Sequence, residues 1–590
     1  MKLPFFRPAR GLATRTAALL VASACTACGG GSAEPSSAPS SSADTTVTKS
    51  LAPAATETVS AAESLTQLAA MRLLTQATFG PSPQDVASAR TLGAAAWVDR
   101  QLAMPHDPAR GHVAYIAARV AAGEASHQNL LFRNFWKQAL TAPDQLRQRT
   151  AFALSQIFVV SLASDLGDLP VGVGSYYDML SERSFGTYRQ LLDAVARHPM
   201  MGLYLSHLQN QKENPATGRV PDENFAREVL QLFSIGLVQL NLDGTPKAGA
   251  GGQPVETYTN ADVQGLAKVF TGWSWAGPDQ SESSFRGWST ATVNRHVTPM
   301  QAFPAYHSAS EKKFLGVTIP AQATPDPAAS LKVALDTIAA HPNVGPFLGR
   351  QLIQRLVTSN PSPAYVARVA TVFNNNGSGV RGDLKAVVRA VLLDPEARDD
   401  TPSRAAGYGK VREPLLRMSA WLRAFEATSR SGRFLVRNTD DAASALGQTV
   451  LRSPSVFNFF RPEHVPQGAG GLQAPEMQIA NEVSAAGYVN LMQKAVFRGY
   501  GDVDATGAGD LMPDYAVLTP LARDPQALVQ VIDDRLLAGR MSAALKSRIL
   551  LAMASVPSIG DTASRLQFDR DRISLALLLT VVSPEFVVQR

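Results

Sequence analysis

The chain has 590 residues, 45% of them hydrophobic and 18% charged, which excludes disorder over most of its length and allows a sizeable core. Its formal charge of +6 is concentrated at the front: taking Lys2, Arg7, Arg10 and Arg15 from the 55 basic residues leaves 51 against 49 acidic ones. So even a balance offers no basic face for nucleic acid, and with Cys25 and Cys28 the only cysteines, no disulfide staples the rest of the chain.

The first fifteen residues are basic, and residues 17–22 form a short apolar run ending in small residues. That pattern predicts a signal peptide over 1–27, since the run is shorter than the about 20 apolar residues that span a bilayer. The stretch Val21-Ala22-Ser23-Ala24-Cys25-Thr26-Ala27-Cys28 resembles a bacterial lipobox, which implies cleavage before Cys25 or Cys28 and acylation of that cysteine. Neither has the usual leucine three positions upstream; the glycines directly after Cys28 favour it. Two or more acyl chains hold a protein on a membrane, so the expected location is the cell envelope, lipid-anchored and facing the periplasm or the exterior. Residues 28–63, rich in Ser, Ala, Thr, Pro and Gly, read as a disordered tether.

Order is predicted from residue 64. Ser64-Leu65-Thr66-Gln67 reads as a capping box before Leu68, Met71, Leu73 and Leu74. Ser82-Pro83 marks a second helix start, and Gly93 the break before a third helix over 94–104. Long helices are predicted over 129–140 and 144–162, the second apolar almost all round and therefore central. Further helical patterns cover 331–340, 344–357, 365–373, 384–393, 414–425, 478–494, 525–536, 542–553 and 573–582. The clearest strand signal is a hairpin pairing 302–306 with 314–319 across the polar loop 307–312. No later stretch is long and apolar enough to span a membrane, and no solenoid-like repeat is present. The expected fold is mainly α: a large multi-helix globular body over 64–590 with a minor β-hairpin, after the tether.

Four separated stretches together resemble one bacterial family, domain of unknown function 1800. The first is Arg72-Leu73-Leu74-Thr75-Gln76-Ala77-Thr78-Phe79-Gly80. The second runs Asp222-Glu223-Asn224-Phe225-Ala226-Arg227-Glu228-Val229-Leu230-Gln231-Leu232-Phe233-Ser234-Ile235-Gly236, resumes at Tyr258-Thr259-Asn260-Ala261-Asp262-Val263 and reaches Phe270-Thr271-Gly272-Trp273. The third is His307 with Lys312, Leu315 and Gly316, and the fourth is Ser453-Pro454-Ser455-Val456-Phe457-Asn458-Phe459-Phe460-Arg461-Pro462. The resemblance implies an exported protein of no established activity, often encoded beside a family similar to alkaline phosphatases and sulfatases. The chain departs from the family pattern at Gln231, where a second acidic residue is common, and at Ser308 and Ser310, where Asp and Gly are.

On a helical wheel, Phe225, Val229, Leu232, Phe233 and Gly236 share a face, with Asn224, Glu228 and Gln231 as a stripe on its flank. A carboxylate between two amides beside an apolar face suits acid or base work at a raised pKa; pairing with an arginine of a neighbouring helix is the plainer role for Glu228. Glu223 and Arg227 have the spacing of a surface ion pair. Asp262 is a second candidate carboxylate, although Thr259-Asn260-Ala261-Asp262 is also a capping box. Trp273 and Trp275 read as a sugar platform or as core, core being favoured. His307 in the hairpin loop, with Lys312 and Lys313, reads as an anion site or as a turn histidine bonded to its own backbone.

Gly272 to Ala276 only approximates a nucleophile elbow, and Pro513 stands where a calcium loop opened by Asp502 and Asp504 would need its closing Glu. No metal or cofactor is therefore expected. The sequence reading is an exported, membrane-tethered accessory or binding protein, working with a phosphatase- or sulfatase-like exported partner. The alternative is a hydrolase of an extracellular or cell-envelope polymer, with Glu228 and His307 as catalytic acid and base, Asp262 as a further carboxylate, and Asn224, Lys312 and Trp273 binding substrate.

Overall fold

The computed structural model describes residues 64–289, 294–401, 405, 407–557 and 559–590; the expected signal peptide, Cys25, Cys28 and the tether lie outside them. Helices dominate, and the strands are short and antiparallel. The mainly α class expected of the sequence is thus the observed one.

Most helices start where a short polar side chain can take an orphan N–H. Ser82 accepts from Asp85 N ahead of Pro83–Leu92, Asp383 from Ala386 N ahead of Leu384–Leu393, and Asp524 from Ala527 N ahead of Pro525–Leu536. Other predicted bounds shift. Thr66, not Ser64, caps Gln67–Ala77, its hydroxyl accepting from Ala69 N at 3.1 Å. Glu482–Arg498 begins after its cap Asn481, residues 475–479 forming a 3-10 turn. Thr562–Val581 is capped by Asp561 and starts eleven residues before its apolar pattern does.

The predicted hairpin is redrawn. Lys312–Phe314 pairs with Val317–Ile319, in register Lys312 to Ile319 and Phe314 to Val317. Leu315 and Gly316, at φ 48° and 76°, make the two-residue turn, a geometry that matches the twist of a tight hairpin. Gln301–Ala302 pairs instead with Trp273–Ser274. Pro304, with no N–H for a ladder, opens a 3-10 turn over Pro304–Tyr306.

A large hydrophobic core runs through the body, and a smaller one lies under Gln67–Ala77, Pro83–Leu92 and Ala94–Ala103. Between them, Gln145–Ser155 buries every residue except Gln148. The expectation of an apolar helix over 144–162 is corrected: the helix ends at Ser155, and Gln145, Arg147, Arg149 and Thr150 are as buried as its apolar residues. Its arginines reach carbonyls at the C-terminal ends of other helices. Arg147 donates to Met104 O at 2.8 Å and Ser181 O at 3.1 Å, and Arg149 to Arg355 O at 2.6 Å. Arg381 does the same at Ala339 and His341, Arg535 at Ala424, and Arg423 at Gly80, Ala139 and Leu140. Carbonyls in the last turn of a helix are short of donors within it and carry the negative end of its dipole, so a guanidinium there satisfies both needs; Ser181 O has in addition the Ser184 N–H at 3.4 Å, and Gly80 lies just past its helix.

Replacing Arg423 by Met strands Gly80 O and Leu140 O, while Ala139 O keeps Gln145 Nε2 at 3.3 Å, and it also removes the ion-pair partner of Asp85; each stranded carbonyl costs about 1–3 kcal/mol. Urea denaturation of Arg423→Met is expected to show a loss of about 3 kcal/mol or more, and an unchanged midpoint would refute this role for the arginine.

Candidate functional site

Asp222 Oδ1 accepts from Asn224 N at 2.8 Å and starts the helix Asn224–Gln231, whose buried face is Phe225, Ala226, Val229 and Leu230. The helical wheel does not continue to Gly236. The Ser234 hydroxyl donates to Val229 O, the N–H groups of Ile235 and Gly236 both return to Leu230 O, and Gly236 reverses the chain at φ 69°.

Among the described residues no arginine of a neighbouring helix meets Glu228. Arg227 pairs with Glu223 at 3.2 Å, as its spacing predicts. Glu228 is half-buried, and its Oε2 is closed to water with no partner among the described residues. Burial holds its carboxyl above the ordinary range, the Arg227 charge opposing. The phenol of Tyr204 is pushed up to about 12 by burial and by the Glu228 charge, and that of Tyr258 is also raised. Asn224 is exposed and donates weakly to Ser206 Oγ at 3.4 Å, not to Glu228.

Asp262, Trp273, His307 and Lys312 gather around the hairpin. Asp262 completes the capping box with Thr259, its Oδ2 accepting from Thr259 N at 2.7 Å, and its Oδ1 accepts from Leu315 N at 2.7 Å. It thereby ties the helix Asn260–Val269 to the hairpin turn. Gly265 on that helix lets the hairpin lie directly against it, since a Cβ there would sit 1.7 Å from Lys313 O. Trp273 is buried in its strand, and Trp275, just beyond it, is buried too.

His307 is fully buried, in front of the hairpin rather than in its loop. The Thr271 hydroxyl donates to Lys268 O, so Nδ1–H donates to Thr271 O at 2.8 Å and Nε2 accepts from Ser330 Oγ at 3.0 Å. Both ring nitrogens are committed, and neither meets Glu228. Lys312 is buried too, its amine lowered to about 8 by burial and bonded to Gln322 Oε1 at 3.3 Å. Ser308 and Ser310 both donate to Glu213 Oε1. These residues hold the hairpin to the loop that carries Glu213; an open anion site is not formed.

A different place combines room with polar groups. A cavity of about 470 Å3 is walled by Gln231 to Leu240, by one face of the helix Val344–Leu356, and by the segment 456–463. The helix presents Phe347, Arg350, Gln351, Gln354 and Arg355, which recur at the spacing of one helical face. Phe347 packs on Gly236, where a Cβ would come within 2.8 Å of its ring. Gln473 Oε1 accepts from Arg350 at 3.1 Å and from Gln354 at 2.9 Å, and Arg461 lies over the Phe457 ring at 4.4 Å.

Gln156 forms part of the floor and donates to Glu413 Oε2 at 2.7 Å. Behind it are Arg149 and the ion pair of Lys410 with Glu476, 2.9 Å apart and 1% exposed on each side. Gln156 Oε1, Gln351 Nε2 and Gln354 Oε1 have no partner among the described residues. Sequence reasoning singled out the segments 222–236 and 453–462 but missed the third wall. Its signal was available: Arg, Gln, Gln and Arg at inward positions, where a structural helix would carry aliphatic residues.

Among the described residues no group of three or more His, Cys, Asp or Glu is placed to hold a metal ion. The acidic run near 502–510 is engaged elsewhere, Asp502 by Arg437, Asp504 by Arg430, and Asp510 by Ser429 and the backbone of Ser431 and Leu435.

Burial lowers His307 and His207 from 6.5 to about 4, and His198 to about 3. His198 caps the helix Pro199–Tyr204, and His207 lies in the loop that follows it. All three fold neutral and take up a proton more easily unfolded, so their contribution is complete above about 6.5 and is lost as pH falls toward 4. Stability measured by urea denaturation is expected to decline across that interval, with a slope about one proton smaller in His307→Gln. An unchanged slope would mean that His307 is not held neutral.

No curated protein and no solved structure matches the chain. The family model described as "Protein of unknown function (DUF1800)" matches residues 72–588, nearly the whole described body, and the chain belongs to that family.

Proposed function

We propose that the protein is an exported, lipid-anchored binding protein of the cell envelope, an accessory to an exported partner similar to phosphatases and sulfatases. The observation that carries the binding role is the convergence of segments 222–236 and 453–462, distant in sequence, on one cavity of about 470 Å3. That volume is in the range of about 300–1,000 Å3 typical of small-molecule sites, and an apolar lining with a few convergent polar groups is their usual character. The anchor rests on Cys25 and Cys28 and the leader before them.

A second reading, hydrolysis of an extracellular or cell-envelope polymer, keeps Glu228 as its acid or base because Oε2 is unpaired and the carboxyl is raised. His307 does not serve as its partner, both nitrogens being occupied in the core.

Sulfated and envelope polymers incubated with wild type and Glu228→Gln are expected to remain intact with both. Turnover present in wild type and absent from the variant would establish the hydrolase and remove the accessory reading. Mass spectrometry of the mature protein is expected to find acyl groups on Cys28 or Cys25, and replacing both by Ser to release the protein from the membrane fraction. Unmodified thiols at both positions would contradict the anchor.

A further inference from the structure

The charges around the cavity are one-sided. Arg350, Arg355 and Arg461 line it against a single carboxylate, Glu463. Among the described residues none of the three arginines has a carboxylate within ion-pairing distance: Arg350 bonds Gln473, Arg355 bonds Gln156 O at 3.3 Å, and Arg461 rests on Phe457. Behind the floor, Arg149 is fully buried, is likewise without an ion pair, and leaves Nε and Nη1 unpartnered. Lys410 pairs with Glu476, and Glu413 receives the amides of Gln156 and Gln448; the two carboxylates act on Arg149 and Arg355 without bonding them, and Glu413 Oε1 and Glu476 Oε2 have no donor among the described residues. A guanidinium kept from water costs free energy unless an anion or oriented carbonyls meet it; that cost bears on the buried Arg355 and in part on the half-buried Arg350, while Arg461 is exposed and open to an anion from solvent.

The other walls are apolar. Leu232, Leu237, Phe347 and Val456 face the same space. The amides add polarity without charge. Gln354 Nε2 donates to Ser359 O, Pro462 O and Gln473 Oε1, and Gln156 Nε2 to Glu413, so the Oε1 atom of each is fixed as an acceptor that lacks a donor.

Resting on the binding role proposed above, we infer that the cavity takes a small organic anion. Its acidic head is held by the Arg350 and Arg461 guanidiniums and its apolar body lies against Phe347, Leu232 and Leu237. A planar guanidinium meets a carboxylate, sulfate or phosphate oxygen pair through paired N–H donors. The Phe457 ring under Arg461 keeps that fork oriented.

The test is calorimetric titration of the full chain, with Cys25 and Cys28 replaced by Ser, using naphthalene-2-carboxylate, its uncharged match naphthalene-2-carboxamide, and inorganic sulfate. The carboxylate is expected to bind about tenfold or more tightly than the carboxamide, and sulfate more weakly than the carboxylate. Arg350→Gln and Arg461→Gln are each expected to weaken the carboxylate by about tenfold to a hundredfold. Arg430→Gln, whose arginine pairs with Asp504 away from the cavity, is expected to bind as wild type does. An unchanged urea midpoint separates lost binding from lost folding.

Equal affinity for carboxylate and carboxamide, both weakened by Leu237→Asn, overturns the anionic ligand and leaves the binding role standing. Wild-type affinity in both cavity arginine variants overturns it as well. Absence of binding by all three probes overturns the inference and removes the cavity as support for a binding protein.

Discussion

Guanidiniums, buried or half-buried, on the carbonyl ends of helices are the interaction on which the rest of this fold depends. With no cysteine beyond residue 28 to staple it, a body this large needs directional ties between elements far apart in sequence, which apolar contact alone does not supply. Arg147, Arg149, Arg381, Arg423 and Arg535 supply them, each reaching carbonyls where another helix stops. The tie works because the last turn of a helix has unpaired acceptors and partial negative charge, and a guanidinium presents several donors in one plane. Oriented carbonyls can offset much of a buried positive charge where no carboxylate is near.

The cavity begins where that device runs short. The end of Val344–Leu356 is met at Arg355 O by Arg149 and Lys410, and at Leu356 O and Val357 O by Gln589. The guanidiniums of Arg350 and Arg355 project from the same helix toward the open space. Structure and the proposed binding therefore share one helix, the first satisfied within the protein and the second incompletely so. Gly236 adds the shape: its missing side chain seats Phe347, and its positive φ turns the signature segment away from its helix to make the adjoining wall.

Around the hairpin the same family segments do structural work. Asp262 bonds both its own helix start and the turn at Leu315, and Gly265 lets the helix lie on the hairpin backbone. His307 fills the junction as a neutral ring with both nitrogens used. Recurrence of polar residues in a pattern therefore has two physical meanings in this protein, a packed joint near residue 307 and an incompletely paired wall near residue 350.

Helix starts were legible where the signal is local: Ser82 acts on an N–H three residues away, and the apolar patterns from 384 and 525 begin at helices that Asp383 and Asp524 cap in the same way. The mainly α class followed from apolar periodicity, and the capping role of Asp262 and the Glu223–Arg227 pair from spacing alone. The extent of Thr562–Val581 was not legible, since its first half is largely polar, buries no residue and is started by the Asp561 cap rather than by an apolar pattern. Nor was the hairpin partner of residues 312–314, because two-residue register depends on the positive φ of Leu315 and Gly316 and on where Pro304 withholds a donor. The free Oε2 of Glu228, the enclosed His307 and the cavity were decided only by tertiary structure. Each depends on which distant side chain arrives to pair with, or leave unpaired, a polar atom, and no local rule carries that information.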